Sequence, residues 1–358
     1  MSQPRPDVAY YTIANAPFFP GVVGLLNSLR LIGEEAPLYV VDCGLTRQQQ
    51  ETLSQHVTLV PSYRRLHPVL QKATGPLAHA AEIMVLIDAD IVVTRSLSPL
   101  FESAANGEVV AVEDYSPDRF FSEWVSLGLG APRRRPYVNC GLLIFSAATA
   151  SDFLPLFVDL QERLDPASTH FGGGGLTNPF YFADQDILNA ILCTRYDGRV
   201  KRLDIRFAPV PPFAGLQPVE SNRLSFAYGD GLVPYALHHT LKKPWLSRIE
   251  ANAYSDLFTK MVTDPEARLR LEPRELPLRL RETSWARVDR LGVSVQLAAW
   301  RRFRGRLGLR PAIERRVRDF RRQRASAPGA SGLDPAQPCA QAQLDSGPDR
   351  PLGRGTAR

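Results

Sequence analysis

The sequence predicts an α/β protein built on a mostly parallel sheet flanked by helices. Three observations lead there: short apolar, β-branched runs of strand length recur through the first half, stretches of helical length separate them, and the run Ile83–Ile87 ends in Asp88-Ala89-Asp90. Strands alternating with helices make a sheet covered on both faces, and such strands read as continuous apolar runs. Open sheets of this kind bind ligands beyond the carboxyl ends of their strands, which is where the two acids fall.

In chain order, Val8–Ile13 is the first strand, and Pro20 is placed to open a helix reaching Arg30. Leu38–Val41 is the second strand, followed by Thr46-Arg47-Gln48-Gln49, a capping box at the head of another helix. Val57–Val60, Ile83–Ile87, Val109–Val112 and Gly141–Phe145 are further strands. Phe153–Leu164 reads as an amphipathic helix, and Asp184 as the cap of a helix running to Leu192. Gly172–Gly175 is a loop, and it lacks the Gly-Lys-Ser/Thr ending of a phosphate-cradling P-loop.

The pair Asp88 and Asp90 is the chemically loaded feature. Two carboxylates at one strand end repel each other and call for a cation, and oxygen ligands of this type suit Mg²⁺ or Mn²⁺ shared with substrate phosphates. Asn139-Cys140-Gly141 opens a strand, and its glycine would let a ligand approach the backbone closely. Asp184-Gln185-Asp186 opens a helix, and His238-His239-Thr240-Leu241-Lys242-Lys243-Pro244-Trp245 places imidazoles and ammonium groups in one loop.

With 358 residues, 44% hydrophobic and 22% charged, the chain has the material for one large core or two modest ones. No run is apolar enough to span a membrane, and Met1–Asp7 lacks a signal peptide's apolar region, so the expected address is the cytoplasm. Cys43, Cys140, Cys193 and Cys339 are scattered without metal-site spacing and read as small buried hydrophobes. Charge is uneven: 20 arginines face 9 acidic residues from Arg270 onward, which leaves the rest acidic overall. Within 294–324 those arginines interleave with Trp300, Phe303, Leu307 and Phe320, a mixture suited to an anionic membrane surface or to a solvated helix packed on the body. No nucleic-acid module accompanies the charge. Residues 325–358 are too polar and rich in Pro and Gly to order themselves. The expected division is a catalytic domain at 1–250, a helical extension at 251–293, the basic amphipathic segment at 294–324, and a disordered tail.

Taken in order, these motifs resemble family-8 retaining glycosyltransferases of the GT-A (Rossmann-like) type. The similarity runs from about Val8 to Trp245 through Thr12–Phe18, Ser28-Leu29-Arg30, Asp42, Lys72, Asp88-Ala89-Asp90, Asp114, Asn139-Cys140-Gly141, Asp184-Gln185-Asp186 and Lys243-Pro244-Trp245. The resemblance implies a GT-A fold, a nucleotide-sugar donor of the UDP-sugar class, a glycan or glycolipid acceptor, and Mn²⁺ or Mg²⁺ on Asp88, Asp90 and a histidine. It implies that Ala14, Asn15 and Phe18 line the nucleobase pocket, with Phe18 where the family commonly stacks a Tyr. Lys72, Asp114, Asn139 and Asp184 would orient the donor sugar, with Gln185 beside the anomeric carbon and Lys243 on the diphosphate. Ala89 and Gly141 belong to the donor-binding motifs.

The family's closing motif, His-x-x-Gly-x-x-Lys-Pro-Trp, does not align directly, because Leu237 and Thr240 stand where the His and Gly belong. A loop one residue shorter makes His238 the metal ligand, the favoured reading; a shifted loop uses His239. Gln185 is a weak nucleophile, so the implied route is same-face attack by the acceptor hydroxyl, with Asp184 and Asp186 as the carboxylates open to covalent catalysis. Two other readings compete. An apolar strand before Asp-x-Asp also suits a haloacid-dehalogenase-type phosphatase, whose later acid Gly229-Asp230-Gly231 faintly echoes, and the same motifs suit an inactive sugar-nucleotide-binding protein.

Overall fold

The computed structural model describes residues 6–63, 66–220, 224–240, 243–246, 253–264 and 267–272. They fall within one compact unit, Met1–Leu297; the second unit, Ala298–Arg358, lies outside the described residues, as do the Arg-rich segment 294–324 and the tail.

The strands are β1 (Val8–Ala14), β2 (Leu38–Asp42), β3 (Thr58–Pro61), β4 (Ile83–Ile87), β5 (Ile91–Val93), β6 (Val109–Glu113), β7 (Val138–Ser146), β8 (Val200–Leu203), β9 (Leu216–Glu220), β10 (Ser225–Tyr228) and β11 (Ala236–His238). The α-helices are α1 (Phe19–Leu31), α2 (Arg47–Leu53), α3 (Thr74–Ala78), α4 (Phe101–Ala105), α5 (Ala147–Glu162), α6 (Asp184–Leu192) and α7 (Ala253–Thr263). The architecture is α/β, with a seven-stranded sheet in the order β3-β2-β1-β4-β7-β6-β8. Every neighbouring pair in it is parallel except the two that involve β7.

That reversal positions the site. Because β7 runs against β4, its beginning lies at the carboxyl end of β4: Ile87 pairs with Leu142, and Asp88 N donates to Gly141 O at 2.8 Å. A motif that opens one strand therefore meets a motif that closes another.

Apolar side chains fill both faces of the sheet. On one, Val22, Leu25 and Leu29 of α1 pack with Val85, Ile87, Trp245 and Phe258. On the other, Phe145 meets Phe153, Phe157 and Ile187 from α5 and α6. Burial of such side chains, at roughly 1.5–3 kcal/mol each, is the main force holding the layers.

Local rules explain most boundaries. Helix α1 has Pro20 in its first turn and stops at Leu31, two residues before Gly33, whose φ of 84° is a left-handed conformation that glycine adopts without steric cost. The capping box forms as expected, with Gln49 N donating to Thr46 Oγ1 and Thr46 N to Gln49 Oε1. Two helices depart from expectation. Helix α5 starts at Ala147 rather than Phe153, because Ser146 Oγ accepts from Thr149 N as N-cap and the helix carries Pro155 in its interior. In α6 Asp184 is not the cap but the first helical residue; Ala183 precedes it at φ 48° and ψ −110°, a strained backbone for a residue with a Cβ.

The segment after Trp245 is anchored to the body. Asn27, buried on α1, donates to the carbonyls of Met261 and Leu269 and accepts from Leu269 N. Among the described residues no helix is long and apolar enough to cross a membrane.

Candidate active site

Asp88-Ala89-Asp90 forms the turn between β4 and β5, closed by Ile91 N donating to Asp88 O at 3.1 Å. Ser28 Oγ accepts from Val93 N and ties β5 to α1. Strand β11 pairs with β5 so that His238 lies across from Ile91. Successive side chains on a strand point to opposite sides. His238 thus faces the acids, with Nε2 3.3 Å from Asp90 Oδ1 and 3.9 Å from Asp88 Oδ2. His239 turns the other way, into an aromatic pocket with Tyr254 at 5.0 Å and Phe213 at 6.1 Å between ring centroids. Ligand-capable atoms of Asp88, Asp90 and His238 all lie within 4.8 Å of one another.

Each carboxylate has its own ammonium. Lys72 Nζ sits 2.8 Å from Asp88 Oδ1 and 3.1 Å from Asp184 Oδ2, and Lys243 Nζ donates to Asp90 and to the carbonyl of His239. Burial penalises the charged form of Asp90, but Lys243 and His238 outweigh it and hold the carboxyl far below the usual range. Asp88 moves the opposite way, raised by burial and the nearby Asp90 against the pull of Lys72. Burial works against the Lys72 ammonium, yet Asp184 and Asp88 keep it charged, well above its usual value.

Opposite this cluster a second network forms around Asp114. Its Oδ2 accepts from Asn139 Nδ2 at 3.0 Å and from Gln185 Nε2 at 3.2 Å, while Oδ1 accepts from Ser116 N. Gln185 Oε1 in turn accepts from Cys140 N at 3.2 Å, so its amide is held at both ends. At the far end Ala14 closes β1 and Asn15 and Phe18 follow it; the Phe18 ring packs edge-on against Trp245 at 6.1 Å, and Asn15 Oδ1 is buried without a hydrogen-bond partner. A Cβ on Gly21 would lie 2.5 Å from Ala89 O, so glycine is what lets α1 touch the acidic turn.

One cleft of about 550 Å³ gathers these groups: Ala14, Asn15, Phe18, Lys72, Asp88, Ala89, Asp90, Asp114, Asn139, Asp184, Gln185, His238 and Lys243. Gly141 is the exception among the expected residues. It does not line the cleft; what comes close to its backbone is the His238 ring, 2.3 Å from where a Cβ would stand. Asp186 is also turned away. It is fully buried, takes two of the Arg119 bonds, each at 2.7 Å, and accepts from Tyr137 Oη and Phe182 N, so it has no lone pair to offer a substrate. Asp42 serves its own loop, accepting from Gly44 N, Leu45 N and Gln50 Nε2. Asp230 pairs with Arg206 at 2.6 Å and does not line the cleft, which deprives a phosphatase reading of its second acid.

The cleft also contains residues that sequence reasoning passed over: His67, Tyr115, His170 and Phe182 at its rim. Phe171 stacks on His67 at 3.9 Å, joining the loop before Gly172–Gly175 to the segment before α3. Each is a single residue in a loop with no periodic pattern to mark it.

Two carboxylates and an imidazole make a donor set of the right hardness for a small divalent cation, and Asp90 Oδ1, buried without a hydrogen-bond partner, is an oxygen suited to it. The remaining lining offers cations for phosphates and paired polar groups for hydroxyls.

Residues 69–247 match the model of the family described as glycosyl transferase family 8. No curated protein sequence is significantly similar to the chain. Among solved structures it is similar to galactosyltransferase LgtC in complex with donor and acceptor sugar analogues, at 16% identity and a TM-score of 0.49, over 72% of this chain and 98% of that one. It is also similar to the apo bifunctional glycosyltransferase WbbM (15% identity, TM-score 0.48, 80% of this chain and 52% of that one). The glycosyltransferase GlyE of Streptococcus pneumoniae TIGR4 is a third (14% identity, TM-score 0.49, 73% and 61%).

Proposed function

The chain belongs to glycosyl transferase family 8, and from that premise we propose that it moves a hexose from a UDP-type nucleotide sugar to a hydroxyl of a glycan or glycolipid, with retention at the anomeric carbon. The observation that carries this reading is the meeting of Asp88, Asp90 and His238 with the Asp114, Asp184 and Gln185 network in one cleft, whose volume is within the range of small-molecule sites.

Asp88, Asp90 and His238 would hold Mn²⁺ or Mg²⁺. When bound, the ion supplies Lewis-acid stabilisation of the diphosphate leaving group. Lys243 adds a fixed positive charge beside the same place, and preorganised charge there costs no reorganisation during the reaction. Ala14, Asn15 and Phe18 take the nucleobase, while Lys72, Asp114, Asn139 and Asp184 orient the hexose. Gln185 is neutral and clamped between Asp114 and the Cys140 amide, which suits it to steady positive charge at the sugar ring and not to attack it. The other nearby carboxylate, Asp184, is paired with Lys72, which lowers its nucleophilicity. Both facts favour direct attack by the acceptor hydroxyl on the face the leaving group vacates.

A membrane-borne acceptor is supported by the arginines of 294–324, since each basic side chain near an anionic surface contributes about 1 kcal/mol of attraction.

The test is a panel of nucleotide sugars, with Mn²⁺, Mg²⁺ or EDTA, read by thermal stabilisation and donor hydrolysis, with the product's anomeric configuration read by NMR. A metal-dependent response to one UDP-hexose and a retained anomer are expected. Full turnover in EDTA would remove the metal assignment, release of phosphate from simple esters would restore the phosphatase reading, and binding without turnover would mark an inactive relative.

A further inference from the structure

We propose that Cys140 is a positioning residue for the donor sugar: its thiol holds the Asp184 carboxylate in the orientation that receives a hexose hydroxyl. The proposal rests on the glycosyltransferase reading above and concerns a residue to which that reading gives no side-chain role.

Cys140 is the third residue of β7 and is 3% exposed, yet it borders the cleft. Four contacts converge on it. The thiol donates to Asp184 Oδ2 at 2.8 Å, and Lys72 Nζ approaches Sγ at 2.9 Å and the Cys140 carbonyl at 3.0 Å. The backbone amide donates to Gln185 Oε1. One residue thus touches both side chains that open α6, one through its thiol and one through its amide.

The order of donors matters. Lys72 serves Asp88, Asp184 and Cys140 at once, so its ammonium is divided and does not by itself define the plane of the Asp184 carboxylate. The thiol supplies the second fixed direction. Thiol and ammonium both reach Oδ2, which leaves Oδ1 as the oxygen for a sugar hydroxyl. Burial and the adjacent Asp184 keep the thiol protonated, hence a donor, well above its usual titration range. A strained Ala183 immediately before Asp184 makes the side-chain restraint more consequential, because the backbone there is held away from its preferred region.

Such a contact acts on the sugar and not on the nucleotide. A hydrogen bond to a charged group is worth roughly tenfold or more in affinity, and a thiol, a weak donor, belongs at the low end. The full chain is assayed by calorimetry with Mn²⁺, using UDP, UDP-glucose and UDP-galactose as probes, for the wild type, Cys140→Ala and Cys140→Ser, with melting curves beside them. Cys140→Ala is expected to weaken the UDP-hexose that the wild type binds by about tenfold and UDP by no more than about twofold. Cys140→Ser, which keeps a donor, is expected to restore most of the loss, and the steady-state defect of the alanine variant to fall on KM for the donor. Equal loss for UDP and UDP-hexose, no loss for the hexose, or a serine variant no better than alanine would each overturn the role. A wild type that binds no UDP-hexose would bring down the glycosyltransferase reading itself, and this proposal with it.

Discussion

Lys72 Nζ lies 2.8 Å from Asp88 Oδ1 and 3.1 Å from Asp184 Oδ2, so it remains paired if either acid is neutralised. Lys243 has no second carboxylate among its described contacts; it is held by Asp90 and a carbonyl. This difference revises the simplest expectation for an acidic pair, that removing one charge relieves repulsion and stabilises the fold.

Asp90→Asn should therefore cost stability, on the order of 2–3 kcal/mol, by stranding a largely buried ammonium, whereas Asp88→Asn should cost much less. Both variants should lose Mn²⁺ binding. Chemical denaturation in EDTA separates the two effects, and equal cost for both variants would show that the lysines do not act as assigned.

His238→Ala should weaken Mn²⁺ and UDP binding by tenfold or more and cost less stability than His239→Ala, because the His238 ring lines the cleft. His239→Ala should do the reverse, because its ring packs with Tyr254 and Phe213; emptying that pocket should cost about 2 kcal/mol. Calorimetry and melting curves on the two variants decide between them.

Burial pushes the Cys193 thiol up to about 11, and burial with the Asp42 charge does the same for Cys43. In the unfolded chain both ionise near the ordinary thiol value. Between there and about pH 11 the unfolded state has lost protons that the folded state keeps, so stability is fully present below the ordinary value and falls as pH rises through the window. Cys193→Ala should flatten part of that alkaline decline in denaturant midpoints measured from pH 8 to 11; an unchanged slope would contradict it.

Gly21→Ala should destabilise the protein by about 1–3 kcal/mol, since its Cβ would enter Ala89 O at 2.5 Å and the Trp245 ring at 2.9 Å. Because Ala89 sits between the two acids, Mn²⁺ affinity should fall with it. A variant that keeps wild-type stability would mean that α1 can shift without disturbing the turn.

What could be read from the residues was whatever local chemistry determines. The strands around Tyr10, Val40, Val85 and Val110 were legible because a buried strand needs an unbroken apolar run, and the Thr46–Gln49 box because its hydrogen bonds close within four residues. The acids of the site were legible because Asp88 and Asp90 stand where an apolar run stops. Direction was not: nothing in Val138–Ser146 says that β7 runs against its neighbours, since the run would look the same in either sense. For the same reason loop length alone favours His238 over His239, but the face each side chain takes needed the pairing of β11 with β5. Arg119, whose bonds reach 57–67 residues along the chain, left no local signature at all.

That arginine has a mechanical meaning. It donates to Asp186 on α6 and to the carbonyls of Leu176 and Asn178, just beyond the four glycines. A guanidinium is planar, so the directions of its bonds are fixed relative to one another. Arg119 therefore works as a bracket: the glycines can trace many paths, but the downstream end of their loop is delivered to the same place against the helix that carries Asp184 and Gln185. Through it the downstream end of the glycine loop and the first turn of α6, which carries Asp184 and Gln185, share one rigid tie.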